Sequence, residues 1–231
     1  MRPIHVKVVL AAATATVLLA PVTTASASAS ATSHAARHAP GAAPTRRDLP
    51  QPPSADVVRK ELGELNVAAP HSMDGYSRAK FPHWIIQYGA CDTREVVLQR
   101  DGRDVVQDDR CRAVSGAWTS VYDGKDVTVA RQLDIDHMVP LANAWRSGAD
   151  EWDNTRRKKF ANDLVDPQLV AVSASSNRSK GDQSPDQWTP PLHSYWCTYA
   201  RAWTHVKYVY TLNITEAEKN KLDEMLDTCP V

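Results

Sequence analysis

Apolar residues follow two rhythms along this chain, one of short runs broken by turns and one of helical spacing. Val57, Val58, Leu62 and Leu65 recur at helical spacing, so a helix is expected over 55–65 with Ser54 as its N-cap. A turn-rich stretch follows at 70–75. The runs 95–98 and 104–106 flank Asp101-Gly102, a pair suited to a two-residue turn, and predict an N-terminal β-hairpin. Further strands are expected over 118–121 and 127–139, separated by Asp123-Gly124. Past Pro140 the rhythm turns helical. Short helices are expected over 141–145, from Asp153 or Thr155 through Phe160, and over 175–180 up to Gly181, with a short apolar run at 169–172. A long aromatic helix over 194–210 presents Tyr195, Tyr199, Ala202 and Val206 on one face. Thr215 and Glu218 form a capping box for a last helix carrying Leu222, Met225 and Leu226. Strands that give way to helices near residue 140 make the domain α+β.

Composition changes this picture at the N-terminus. Arg2, His5 and Lys7 precede an apolar stretch over 8–22, and Ala25-Ser26-Ala27 and Ala27-Ser28-Ala29 both suit cleavage. Residues 1–29 therefore read as a secretory signal. The alternative is a membrane anchor, but the stretch is short of the roughly 20 residues that span a bilayer. Residues 30–53, rich in Ala, Pro, Ser and Thr, read as a disordered linker or pro-segment, and 54–231 as one domain. An exported domain with Cys91, Cys111, Cys197 and Cys229 points to two disulfides. Three pairings are open; the most local, Cys91–Cys111 with Cys197–Cys229, staples the two ends of the domain separately. Zinc held by cysteine is disfavoured because no pair has the short Cys-x-x-Cys spacing. From residue 51 onward 22 Lys and Arg stand against 26 Asp and Glu, a net of −4. A strongly basic, non-specific nucleic-acid binder is thereby disfavoured, and any chemistry on phosphates must rest on local groups.

The segment Leu133-Asp134-Ile135-Asp136-His137-Met138-Val139-Pro140-Leu141 carries that chemistry. It is followed by Arg156, Phe160-Ala161-Asn162-Asp163, Asn177-Arg178-Ser179-Lys180-Gly181-Asp182 and Trp188-Thr189-Pro190-Pro191. A strand ending in Asp-His-x-x-Pro, then a helical excursion, then Asn-x-x-Lys-Gly resembles the HNH (His-Me finger) nucleases. More narrowly, it resembles the secreted branch of the GmrSD-type C-terminal domain family. Asp-His alone is a common dipeptide; the ordered set carries the resemblance, which covers most of 55–231.

The resemblance implies a ββα-metal core, disulfide-stapled, with two strands and a helix around one divalent metal. Asp136 is then a metal ligand, His137 the general base and Asn177 the final ligand, where many relatives have His. An acidic and an amide oxygen make a hard site, which suits Mg²⁺, or Mn²⁺, better than Zn²⁺. Gln168 falls where relatives usually have Asn and is expected to brace the loop beside the base. Either its side chain or a backbone carbonyl orients the imidazole. Cysteines that bind structural zinc in some relatives fall at Ser173 and Ser176, so that zinc is not expected.

The implied protein is a secreted endonuclease of DNA, with RNA left open, acting as a monomer with no membrane attachment in its mature form. Arg156, Arg178 and Lys180 are candidate phosphate contacts. Asp134, on the same strand face as Asp136, is a reserve ligand. In a regular strand Asp136 and His137 point to opposite faces, so the strand must end or bend there if both serve one site. The alternative is a secreted binding module on the same fold that has lost catalysis. Arg157, Lys158 and Lys159 read as a solvated helix face, Trp188, Trp196 and Trp203 as core, and His71, His83, His193 and His205 as structural. Asn213-Ile214-Thr215 matches a glycosylation sequon, a short pattern common by chance.

Overall fold

The computed structural model of the chain describes residues 49–230. The expected signal at 1–29 and the linker as far as 48 lie outside the described residues. The last part of that linker packs on the domain: Leu49 is only 4% exposed, and Arg201 donates to the carbonyls of Pro52 and Pro53 at 2.6 Å each.

The chain forms α1 (Ala55–Glu64), β1 (Ile86–Tyr88), β2 (Cys91–Asp92), α2 (Thr93–Asp101), β3 (Arg103–Gln107), β4 (Ala113–Thr119), β5 (Asp126–Val127) and β6 (Leu133–His137). It continues with α3 (Leu141–Arg146), α4 (Asn154–Ala161), β7 (Leu169–Ser173), α5 (Ala174–Lys180), α6 (Trp196–Val209) and α7 (Glu216–Leu226). The α+β reading holds. The hairpin does not fall where the turn signal placed it: 93–101 is a helix, and the antiparallel pair is β3 with β4. Asp92 caps that helix by accepting from Glu95 N at 2.9 Å, and Val97 and Leu98 are buried together on its inner face. Capping and burial outweigh the β propensity of the Val-Val-Leu run.

The organising element is the two-stranded antiparallel sheet of β6 and β7, with Asp136 opposite Val170 and His137 opposite Leu169. Successive side chains of a strand face opposite ways. Leu133 and Ile135, with Leu169 and Ala171, face one apolar cluster that includes Val97, Leu98, Trp118 and Val127. Val170 and Val172 face the other, larger cluster, which holds Tyr199, Trp203, Val206, Leu222 and Met225 of α6 and α7. The sheet thus lies between two cores, buried on both faces. α5 follows β7 without a linker, because the Ser173 hydroxyl caps it by accepting from Ser176 N at 3.3 Å.

Disulfides join Cys91 to Cys111 and Cys197 to Cys229, closing loops of 20 and 32 residues. In the chain-entropy account each stabilises by about 3–4 kcal/mol. The Thr215–Glu218 capping box is formed, with both reciprocal bonds present. Among the described residues no helix is long and apolar enough to cross a membrane.

Candidate active site

The end of β6 sets the site. Met138 N donates to Gln168 O at 2.6 Å, one step past the last strand pair, and the chain then bends at Met138 and Val139. Gln168, fully buried, holds that bend with its amide: Oε1 accepts from Val139 N at 3.1 Å and Nε2 donates to Val139 O at 2.9 Å. Both ends of the amide are thereby committed to backbone. Gln168 positions the loop and is not a catalytic group, nor does it orient the imidazole.

That orientation comes from Ala161 at the end of α4. Its carbonyl lies 3.0 Å from His137 Nε2. A carbonyl only accepts, so Nε2 carries the proton and Nδ1 is the basic nitrogen. His137 is 3% exposed, and the Trp84 ring lies against it at 5.7 Å between centroids. Burial is the main cause that pushes the imidazole pKa down to about 3; the Ala161 carbonyl opposes this, and the Arg78 charge adds to it. His137 is therefore neutral over the whole physiological range.

Asp136 is 4% exposed, and its Oδ2 accepts from Tyr122 OH and from Lys180 Nζ, each at 2.5 Å. The Lys180 ammonium also donates to the carbonyls of His137 at 2.8 Å and Met138 at 2.9 Å. Lys180 is wholly buried beside the rings of Tyr122, Tyr199 and Trp203. Its three N–H groups are spent on three acceptors, so the expectation that it touches substrate phosphate is overturned. It is an internal tie between α5 and the strand end. Burial pushes the Asp136 carboxyl up and the Lys180 amine down, and each charge holds the other ionised.

Arg156, exposed, does not line the cleft that Asp136 and His137 line. It donates to Tyr210 O at 2.6 Å and stacks over Trp152 at 4.5 Å, joining α4 to the end of α6. Its neighbour Arg157 is not solvated. It is buried and donates to the carbonyls of Lys80, Ala149 and Trp152.

Asn177 donates from Nδ2 to Asp134 Oδ2 at 3.1 Å. One cleft of about 280 Å³ is lined by Asp136, His137, Asn177 and Arg178, and also by Tyr76 and Arg78. Tyr76, Arg78, Trp84 and Tyr122 have no motif spacing that marks them in the sequence, and only the fold brings them here. Asn162 explains how Trp84 arrives. Its side chain donates to Pro82 O at 2.7 Å and accepts from Ile85 N at 3.2 Å, clamping both sides of Trp84, whose φ is +58°. That left-handed backbone is costly for an aromatic residue and persists only where its surroundings impose it.

The donor set fits one hard cation. Asp136 Oδ1 and Asn177 Oδ1 have no hydrogen-bond partner among the described residues, while the second atom of each group is anchored, by Lys180 and Tyr122 in one case and by Asp134 in the other. No cluster of three His, Cys, Asp or Glu suited to a metal occurs among the described residues. At Ser173 and Ser176 the hydroxyls donate to Asp123 Oδ2 at 2.7 and 2.9 Å.

The family model described as "GmrSD restriction endonucleases, C-terminal domain" matches residues 93–225. A relative from Arthroderma benhamiae, named "Uncharacterized secreted protein", is 54% identical over 180 residues, 78% of this chain and 88% of its own length. No solved structure matches.

Proposed function

The chain belongs to the family of GmrSD restriction endonuclease C-terminal domains, and from that premise we propose that it is a secreted, metal-dependent endonuclease of DNA built on a ββα-metal core. The observation that carries the reading is that a neutral His137 lines the same cleft as Asp136 and Asn177. Export rests on the basic-then-apolar start of the chain, on four paired cysteines and on the relative's name.

A Mg²⁺ ion held by Asp136 and Asn177 would neutralise charge on the scissile phosphate and on the leaving oxygen. His137 takes the proton of the attacking water on Nδ1, while its Nε2–H stays on Ala161 O and fixes the ring. The rise in charge on the imidazole is met by the carbonyl it already faces. Lys180 and Tyr122 hold the Asp136 carboxylate in one orientation, and Gln168 holds the bend that follows. Arg178, exposed on the cleft wall, takes a flanking phosphate.

The test is incubation of the purified chain with supercoiled plasmid. Open circles should appear with Mg²⁺ or Mn²⁺ and be absent with excess chelator. Absence of cutting with either metal, or equal cutting in chelator, contradicts the proposal. A second reading, a binding module without turnover on the same fold, is favoured by one observation: the Lys180 ammonium already neutralises Asp136. It predicts DNA binding with no product across divalent metals.

A further inference from the structure

The family match covers only part of the cleft's lining. Arg178, on α5, belongs to the matched stretch, whereas Arg78 lies in a short 3₁₀ turn, Arg78–Lys80, fifteen residues before residue 93, where the family match begins. Both arginines are exposed, and neither has a carboxylate within ion-pairing distance among the described residues. The other charges lining the cleft are compensated: Asp136 by Lys180, and Asp182 by Arg146 at 2.6 Å. An acidic domain therefore presents two unneutralised guanidinium groups at the one place where Asp136, His137 and Asn177 converge.

The turn that carries Arg78 is fastened in place. Arg157 donates to Lys80 O at 3.2 Å, the next residue Phe81 is wholly buried, and Asn162 grips Pro82 O at 2.7 Å. A guanidinium on a fixed turn loses less freedom on binding an oxyanion than one on a loose loop. Its fork matches two phosphate oxygens.

We propose that Arg78 binds a backbone phosphate of the nucleic-acid strand in the cleft that Arg178 also lines, so that the segment before the matched domain completes the substrate site. The strand is gripped by the two arginines and its scissile phosphate is held over His137. This rests on the nuclease reading for the identity of the ligand, but its test does not need turnover.

Binding of a fluorescein-labelled DNA duplex is measured by anisotropy in excess chelator, across a salt series, for wild type, Arg78→Ala, Arg78→Lys and, as an exposed control on α1, Lys60→Ala. Arg78 makes no side-chain hydrogen bond among the described residues, so its loss leaves the fold intact. The expected result is a Kd about 10- to 100-fold weaker in Arg78→Ala. The slope of log K against log salt should shrink by about 0.9, the value for one phosphate contact. Arg78→Lys should keep most of the slope and regain part of the affinity, and Lys60→Ala should match wild type. Equal Kd and slope in Arg78→Ala overturn the inference even where wild type cuts plasmid, and so does a wild type that does not bind. Loss of binding in Arg78→Ala with no cutting by wild type upholds it and sinks the nuclease reading instead.

Discussion

At the end of β6 a wholly buried ammonium and a nearly buried carboxylate face each other, and neither is affordable alone. The Lys180→Met variant leaves Asp136 charged in an apolar wall, and we expect a loss of about 3–5 kcal/mol. Adding Asp136→Asn should restore most of it; urea unfolding of the two variants reads this directly, and a single-variant loss under about 1 kcal/mol would contradict the pairing. His137 makes a second prediction, in pH. Its folded pKa is held at about 3 against an ordinary 6.5, so between those values the unfolded chain binds a proton that the folded chain refuses. Stability therefore falls as pH falls through that window, by at most about 1.4 kcal/mol per unit. Urea midpoints from pH 7 to 5 should drop more steeply for wild type than for His137→Gln, and parallel lines would refute it. The sequence named Asp136, His137 and Asn177 through a local motif. It could not name Tyr122, which bonds Asp136 from inside, or Arg78, which lines the cleft from another element, nor reveal that Lys180 is inside, because an Asn-x-x-Lys spacing says nothing of which way the lysine stem runs.

Among elements, the helices past residue 140 were legible because their apolar spacing, caps and stops agree with their burial. α2 was not. Its Val96-Val97-Leu98 run followed by Asp101-Gly102 carries strand and turn signals, while the groups that make it a helix, Asp92 at its cap and the Trp118 wall it packs on, act from outside the run. Gly102 is needed for a different reason than a tight turn. Its φ is −96°, an ordinary value, but a Cβ there would lie 2.5 Å from Trp118 Nε1, in a ring that is buried and bonded to Leu98 O. Gly102→Ala should therefore cost about 1–3 kcal/mol in thermal or urea unfolding, although alanine lowers the entropy of the unfolded chain. A neutral or stabilising result would show that the Trp118 wall gives way. The β6–β7 pair was half legible: each strand showed as an apolar run, but their pairing spans the helical excursion of α3 and α4, a contact that periodicity does not encode.

For the molecule as a whole, the two-stranded sheet between two cores explains why a strand end with two charged groups stays ordered. Trp118 and its neighbours press on one face, the α6–α7 helices press on the other, and the disulfides tie the N-terminal and C-terminal ends of the domain separately. The domain from residue 51 onward carries a net of −4, yet its cleft carries two unpaired arginines, so domain charge and local charge make opposite statements about nucleic acid, and the proposed grip rests on the local one. In the proposed function the chemistry rests on one imidazole nitrogen, apart from the groups that fold the domain and those that would grip the strand. The most direct measurement is the plasmid-nicking rate of His137→Ala against wild type in saturating Mg²⁺. A general base of this kind predicts a fall of about 10²- to 10⁴-fold with plasmid binding retained; equal rates in the two proteins would contradict the account.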